Sequence, residues 1–256
     1  MLKIEPINAF NDNYIWLITN TKNNHAIVVD PGDAKPVIDI LHTHNLTLEA
    51  ILITHKHADH IGGVRELKDL TNAMIYGPTK NIGKLADVEV IEGQQIQLQK
   101  TEVTFKVLEL PGHTMEHIAY YNDQSVFCGD TLFVGGCGRV FEGTMPEMFA
   151  SLQKLASLPA ATQVYCAHEY TESNLNFALA VESNNQDLIN FNTYITKIRT
   201  TNQPSVPSSI KIEREINPFL RCHEAAIQDR VGKHYGLSVN DPVETFALLR
   251  QWKDKF

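Results

Sequence analysis

From the start of the chain to about residue 170, short apolar runs alternate with Gly, Asn, Asp and Pro punctuation. YIWLIT (14–19), HAIVV (25–29), AILIT (50–54), AMIYG (73–77), VEVI (88–91), TFKVLEL (104–110), SVFCG (125–129) and QVYCA (163–167) read as strands. Helical spacing appears in KPVIDILHTHN (35–45), IGGVRELKDLT (61–71) and MPEMFASLQKLAS (145–157), the last with Pro146 where a first turn should begin. Strands with helices interspersed predict a layered α/β domain, its sheets packed face to face and its helices outside. Beyond Tyr170 the character changes. Segments 171–184, 186–202, 224–236 and 241–256 keep helical spacing without strand alternation, interrupted by the Pro/Ser loop QPSVPSS (203–209). The pattern therefore predicts a domain over 1–172 and a smaller α-helical domain over 173–256, with no internal repeat.

Composition narrows the class. Of 256 residues, 43% are hydrophobic and 20% charged, enough for a sizeable packed core and against disorder. A net charge of −8 without a basic stripe argues against a nucleic-acid surface. No run approaches the ~18 apolar residues of a membrane span, and MLKIEPINAF lacks the layout of a signal peptide. The four cysteines, Cys128, Cys137, Cys166 and Cys222, are scattered and read as reduced thiols of a cytoplasmic protein.

Placement of the histidines carries the chemistry. Thr54-His55-Lys56-His57-Ala58-Asp59-His60 follows the apolar run AILI directly. Two histidines two apart, in extended chain leaving a strand, can turn their rings to one side and share a metal ion. Asp59 and His60 lie where the chain bends toward a helix starting near Ile61, so they can face a second ion. Imidazole and carboxylate without thiolate suit zinc, iron or manganese. Three further candidates also end apolar runs: His113 after VLEL-Pro-Gly, Asp130 in VFCGD and His168 in VYCAH. Each has an ordinary reading by itself. His113 could be a turn residue, Asp130 an N-cap and His168 a core histidine, while His117 competes with His113 as an i, i+4 helical pair. Their repeated strand-end placement favours convergence on one rim. His55, His57 and His113 would then hold one ion, Asp59, His60 and His168 the other, with Asp130 bridging and a hydroxide between the ions. Asp30, in VVDPGD, reads as a plain turn residue, and His25, His42, His44, His223 and His234 as surface or packing residues.

In that order THKHADH, PGHTMEH, GDTLFVGGCGR and CAHEYT resemble the metallo-β-lactamase superfamily, and more narrowly its glyoxalase II branch, the hydroxyacylglutathione hydrolases. The resemblance runs from FNDNY (10–14) through NPFLR (217–221) to Arg250 and Lys253. It implies an αββα sandwich followed by a helical domain, and hydrolysis of S-D-lactoylglutathione to glutathione and D-lactate, the second step of methylglyoxal detoxification. It implies the same two metal shells, without His117, and two divalent ions per chain, zinc first and iron or manganese otherwise. Asp59 and Asp130 would be the catalytic carboxylates, Asp59 orienting the attacking hydroxide. The family's glutathione contacts map onto Arg139, Phe141, Tyr170, Arg250 and Lys253. Arg139 and Phe141 depart from the Lys and Tyr that some members have, so a planar fork replaces an ammonium and a hydroxyl is lost. Arg250 and Lys253, three apart on a helical pattern, share a face suited to an anionic ligand, although basic residues also favour a helix C-terminus. The expected partner is a small glutathione thioester, with no nucleic acid and no membrane, for a cytoplasmic monomer. Rival readings are a lactonase, β-lactamase, phosphodiesterase, nuclease or one-iron sulfur dioxygenase of the same superfamily, or a protein that merely binds ions.

Overall fold

The apolar runs of the first 130 residues pair into two sets of strands. The structure, a computed structural model, describes residues 2–78 and 85–256. The chain divides into two compact units, the first comprising Met1–Glu109 with Glu116–Gly129, the second Leu110–Met115 with Asp130–Phe256.

In the first unit, β1 (Leu2–Ala9), β2 (Asn13–Asn20), β3 (His25–Val29), β4 (Thr47–Leu52), β5 (Met74–Pro78) and β6 (Val88–Val90) form one sheet in chain order. The first three strands are antiparallel neighbours; β3 through β6 run parallel. Parallel pairing requires crossovers. Among the described residues these include α1 (Ala34–Thr43) between β3 and β4, and α2 (Ala58–Ile61) with α3 (Val64–Thr71) between β4 and β5. Ile15, Leu17, Val28 and Ile51 join Val37, Leu41, Val64 and Leu67 of the helices in one core. Their alternates Trp16, Ile18, Ile27 and Leu52 are buried too, so both faces are covered, as continuous apolar runs require. The other strands, β7 (Gln95–Leu98), β8 (Val103–Glu109), β9 (Ile118–Tyr121) and β10 (Ser125–Gly129), follow one another as antiparallel neighbours. Tyr120 ties the two sets together: its fully buried hydroxyl donates to the Ile53 carbonyl at 2.8 Å and reaches that of Tyr76 at 3.1 Å.

The second unit begins with a short hairpin, β11 (Leu132–Phe133) and β12 (Gly136–Cys137). Helix α4 (Met145–Ala156) starts with a capping box between Thr144 and Glu147, with Pro146 in its first turn as expected. After β13 (Gln163–Cys166) come α5 (Thr171–Val181) and α6 (Gln186–Arg199), then β14 (Ser208–Ser209), α7 (Ile210–Ile216), α8 (Ala225–Tyr235) and α9 (Pro242–Lys255). Leu175, Ala178, Leu188, Ile195 and Ile216 form a core shared by α5, α6 and α7. Glu213 of α7 is fully buried, and its carboxyl accepts from Ser208 Oγ, Asn217 Nδ2 and the Gly135 amide. Burial pushes it up to about 7.

The layered α/β reading and the helical tail agree with this architecture. The helix expected over 61–71 is split at Gly62-Gly63, because the chain there lies against the 31–34 turn. A Cβ at Gly62 would come within 2.5 Å of the Gly32 carbonyl oxygen, and one at Gly63 within 2.4 Å of the Ala34 nitrogen. Strand β1 escapes the apolar pattern because Pro6 interrupts it; as the sheet's first strand it has an edge, where a missing N–H is tolerated.

Replacing Tyr120 by Phe removes one donor from two buried carbonyls at nearly constant volume. A loss of about 1–2 kcal/mol is expected, read as a lower urea midpoint with an unchanged slope.

Candidate metal centre

The motif loop leaves β4 at Leu52 and is gripped from beneath by Asp30, the residue after β3. Asp30 is buried in a left-handed conformation, φ 51°. One of its oxygens accepts from the Thr54 amide at 2.7 Å, and the other from Thr54 Oγ1 at 2.6 Å. The second oxygen also meets His60 Nδ1 at 3.0 Å. An ionised carboxylate only accepts, so His60 carries its proton on Nδ1 and turns a lone pair out through Nε2, which lies 3.4 Å from Asp59 Oδ2. The same logic fixes His55. Thr54 Oγ1 spends its single hydrogen on Asp30 and therefore accepts from His55 Nδ1 at 3.0 Å. His55 Nε2 is thus the lone-pair nitrogen, 3.1 Å from His57 Nδ1. Between the two histidines Lys56 points elsewhere: its amide donates to buried Glu116, and its ammonium lies 3.6 Å from the same carboxylate. This is the alternation that extended chain dictates.

Neighbouring residues close the loop. Asn13 donates to Asp59 Oδ2 at 3.0 Å. His117 stacks on His55 with ring centres 4.7 Å apart. Gly129, φ +49°, ends β10 so close to Thr54 Oγ1 and His117 that a Cβ would lie 2.4 and 2.8 Å from them. One donor atom from each of Asp30, His55 and His60 lies within 4.8 Å of the others. The first unit therefore carries a His/Asp cluster suited to a metal site, in which Asp30 orients the rings and Nε2 of His55 and of His60 keep their lone pairs.

The second unit presents two more imidazoles around Asp130. His113 Nδ1 donates to the Arg139 carbonyl at 2.8 Å, which leaves the lone pair on Nε2, 3.5 Å from Asp130 Oδ2. His168 Nε2 lies 3.4 Å from the other oxygen, Oδ1. One carboxylate thus offers a separate oxygen to each of two imidazoles. Gly138 makes room, since a Cβ there would fall 1.9 Å from the Asp130 carbonyl oxygen. His113, Asp130 and His168 are all buried. Tyr170 stacks on His168, centres 4.7 Å apart and planes 5° from parallel, and Phe141 meets the His113 ring edge-on at 5.2 Å.

The five residues expected to contact substrate are differently placed. Phe141 and Tyr170 are exposed aromatics, and Arg139 is largely exposed. Arg250 is only 3% exposed; it donates to the Cys137 carbonyl at 2.9 Å and to Asp254. Lys253 donates to the Ser173 carbonyl at 3.0 Å and lies over Phe177 and Phe256. Burial, with the charge of Arg250 adding to it, lowers its ammonium to about 8. All four cysteines are buried and outside any disulfide, and burial holds Cys137 at about 11 despite Arg250.

Comparison with known proteins is decisive. Residues 10–168 match the metallo-β-lactamase superfamily profile, and residues 169–256 the profile described as hydroxyacylglutathione hydrolase C-terminus. The chain belongs to the hydroxyacylglutathione hydrolase family. It is 48% identical to a hydroxyacylglutathione hydrolase of Shewanella denitrificans and 50% identical to one of Aliivibrio salmonicida, each aligned over 100% of both chains. Among solved structures it resembles the BLEG-1 B3 metallo-β-lactamase, with 25% identity, a TM-score of 0.64, and 86% of this chain covering 99% of that one. ETHE1 from Myxococcus xanthus shares the fold, with a TM-score of 0.67 at 24% identity over 96% of this chain and 99% of that one.

Within this family assignment Asp30 is the residue that the sequence pattern undervalued. Its Pro-Gly context suggests a turn, and a turn is what the backbone makes, yet the side chain orients two of the expected ligands. Asn13 and Glu116 were missed as well; nothing in their local patterns signals a long-range contact. For Asp30 the signal was available, since it too follows a strand directly, as the expected ligands do.

Asp30→Asn keeps a residue type that tolerates left-handed backbone but removes the anionic acceptor. Metal affinity is expected to fall about 10- to 100-fold, measured as metal retained per chain against a competing chelator.

Proposed function

We propose that the protein hydrolyses S-D-lactoylglutathione and related 2-hydroxyacylglutathione thioesters to glutathione and the free acid, D-lactate for the first, as the second step of methylglyoxal detoxification. The observation that carries this reading is Asp130, whose two oxygens face two inward-turned histidines in a chain of this family. His55, His57 and His113 would hold one divalent ion, and Asp59, His60 and His168 another, with Asp130 shared between them. Zinc is the first expectation and iron or manganese the alternatives, since the donors are imidazole and carboxylate. The fit rests on the fixed tautomers of His55, His60 and His113, each oriented by an oxygen acceptor on the opposite ring nitrogen. When bound, such ions supply Lewis-acid polarisation of a carbonyl and a water acidified to near neutral pH.

The chain's own residues do the rest. Asp59, steadied by Asn13, orients the attacking water and takes up its hydrogen bond. The leaving group is a thiolate with a solution pKa of roughly 8.5–9, so no side chain need protonate it. Phe141 and Tyr170 offer apolar surface beside His113 and His168. Arg139 and Lys253 supply positive charge for glutathione's carboxylates, and Arg250 backs that charge from within. We place the catalytic domain at 1–172 and the substrate-binding helical domain at 173–256, in a cytoplasmic monomer. Among the described residues no helix is long and apolar enough to cross a membrane.

Metal-loaded protein incubated with S-D-lactoylglutathione should remove thioester absorbance, and a chelator should stop it. Absence of turnover, or oxygen uptake with glutathione persulfide instead, overturns the reading. Asp130→Asn should cut kcat on the order of a thousandfold and lower metal content. Lys253 sets the pH response. Its charge fades as pH rises through about 8 rather than 10.5, so KM for the anionic substrate should climb over roughly pH 7 to 9, and Lys253→Ala should abolish the climb.

A further inference from the structure

Three cations and one carboxylate gather where α9 meets the β12 segment of the second unit. Arg250 is fixed: Nη1 donates to the Cys137 carbonyl, while Nε and Nη2 donate to Asp254 Oδ1 at 3.2 and 3.0 Å. Its side chain is 4% exposed, so it holds Asp254 in place from below. The same oxygen of Asp254 lies 3.7 Å from Nε of Arg139, whose side chain is 65% exposed. Two arginines thus share one carboxylate oxygen, one anchored and the other at rest beside it. Lys253 is drawn off to Ser173.

We infer that Asp254 is a specificity-determining residue, a surface carboxylate of the chain itself that parks Arg139 and that a ligand's own carboxylate must displace. The inference rests on the thioesterase reading and names what that site demands of its ligand. A parked arginine discriminates. A halide or an exposed monoanion gains little by drawing Arg139 away, because it gives up the attraction of Asp254. A carboxylate held by the rest of a peptide-like ligand can engage the guanidinium fork with two parallel hydrogen bonds, which are stronger and directional. Asp254 itself cannot follow Arg139, since Arg250 keeps it. The favoured ligands are therefore thioesters whose thiol portion carries a free carboxylate.

The test compares Asp254→Asn with the unaltered, metal-loaded full chain. Asn keeps an oxygen for Arg250 and removes the charge. Turnover of S-D-lactoylglutathione by the unaltered chain settles the thioesterase reading separately. Given turnover, KM at low salt should fall about three- to fivefold in D254N, the size that an exposed ion pair allows, with the change in KM rather than kcat. The fall should vanish in an Arg139→Ala background and with the substrate diesterified at its two carboxylates. An unchanged or higher KM, or an equal fall without Arg139, overturns the proposal. Should D254N fail to fold, arginine-labelled unaltered protein carries the test. Titration with glutathione should shift the Arg139 Nε–H resonance and leave that of Arg250 in place; a stationary Arg139 signal overturns it.

Discussion

A carboxylate taken out of water is costly unless donors surround it. Asp30 meets that condition with the amide and hydroxyl of Thr54 and the ring of His60. The arrangement has a direction, because each donor can be used only once. With Thr54 Oγ1 committed to Asp30, the tautomer of His55 follows; with Nδ1 of His60 committed, so does that of His60. Two ring orientations in the motif loop are thus consequences of a single buried charge at the end of β3. The glycines around it serve the same end, since Gly32 and Gly129 allow backbone to approach where a side chain would collide.

The second unit reaches a similar result with different means. His113 is oriented by a backbone carbonyl instead of a carboxylate, and His168 by the flat face of Tyr170. Behind them Glu213 and Asn217 tie α7 to the hairpin: Asn217 donates to the Gly136 carbonyl, and Glu213 accepts from the Gly135 amide. The helical tail is therefore fastened to the segment that directly follows Asp130, rather than merely appended to the chain.

Much of the fold was legible because buried strands and amphipathic helices impose strong periods. The elements that escaped had weak ones. Strand β1 carries Pro6; QIQL of β7 and IAYY of β9 are only four residues each; and α7 follows a Pro/Ser loop whose composition masks its start. Within the candidate site, the histidines announced themselves by clustering at strand ends. Asp30 was hidden by its own turn sequence, and Asn13 and Glu116 by contacts 46 and 60 residues away in the chain. Local pattern reports what a residue does to its neighbours in sequence. It is silent on which distant loop the side chain will hold. Arg250 shows the converse limit: helical spacing placed it on the same face as Lys253, but not the burial that commits its donors inside.

Arg139 carries two duties on one residue, and they are separable. Its carbonyl orients His113, while its side chain lies out among the charges of α9. Backbone is common to every amino acid, so the orienting duty survives any exchange of side chain that leaves the main-chain path intact. The tip can then vary between a guanidinium fork and a simpler ammonium, retuning which anions are welcomed, without disturbing the imidazole beneath it. Such a position is a free dial mounted on a fixed bearing. It lets recognition drift while the reactive centre stays as it was.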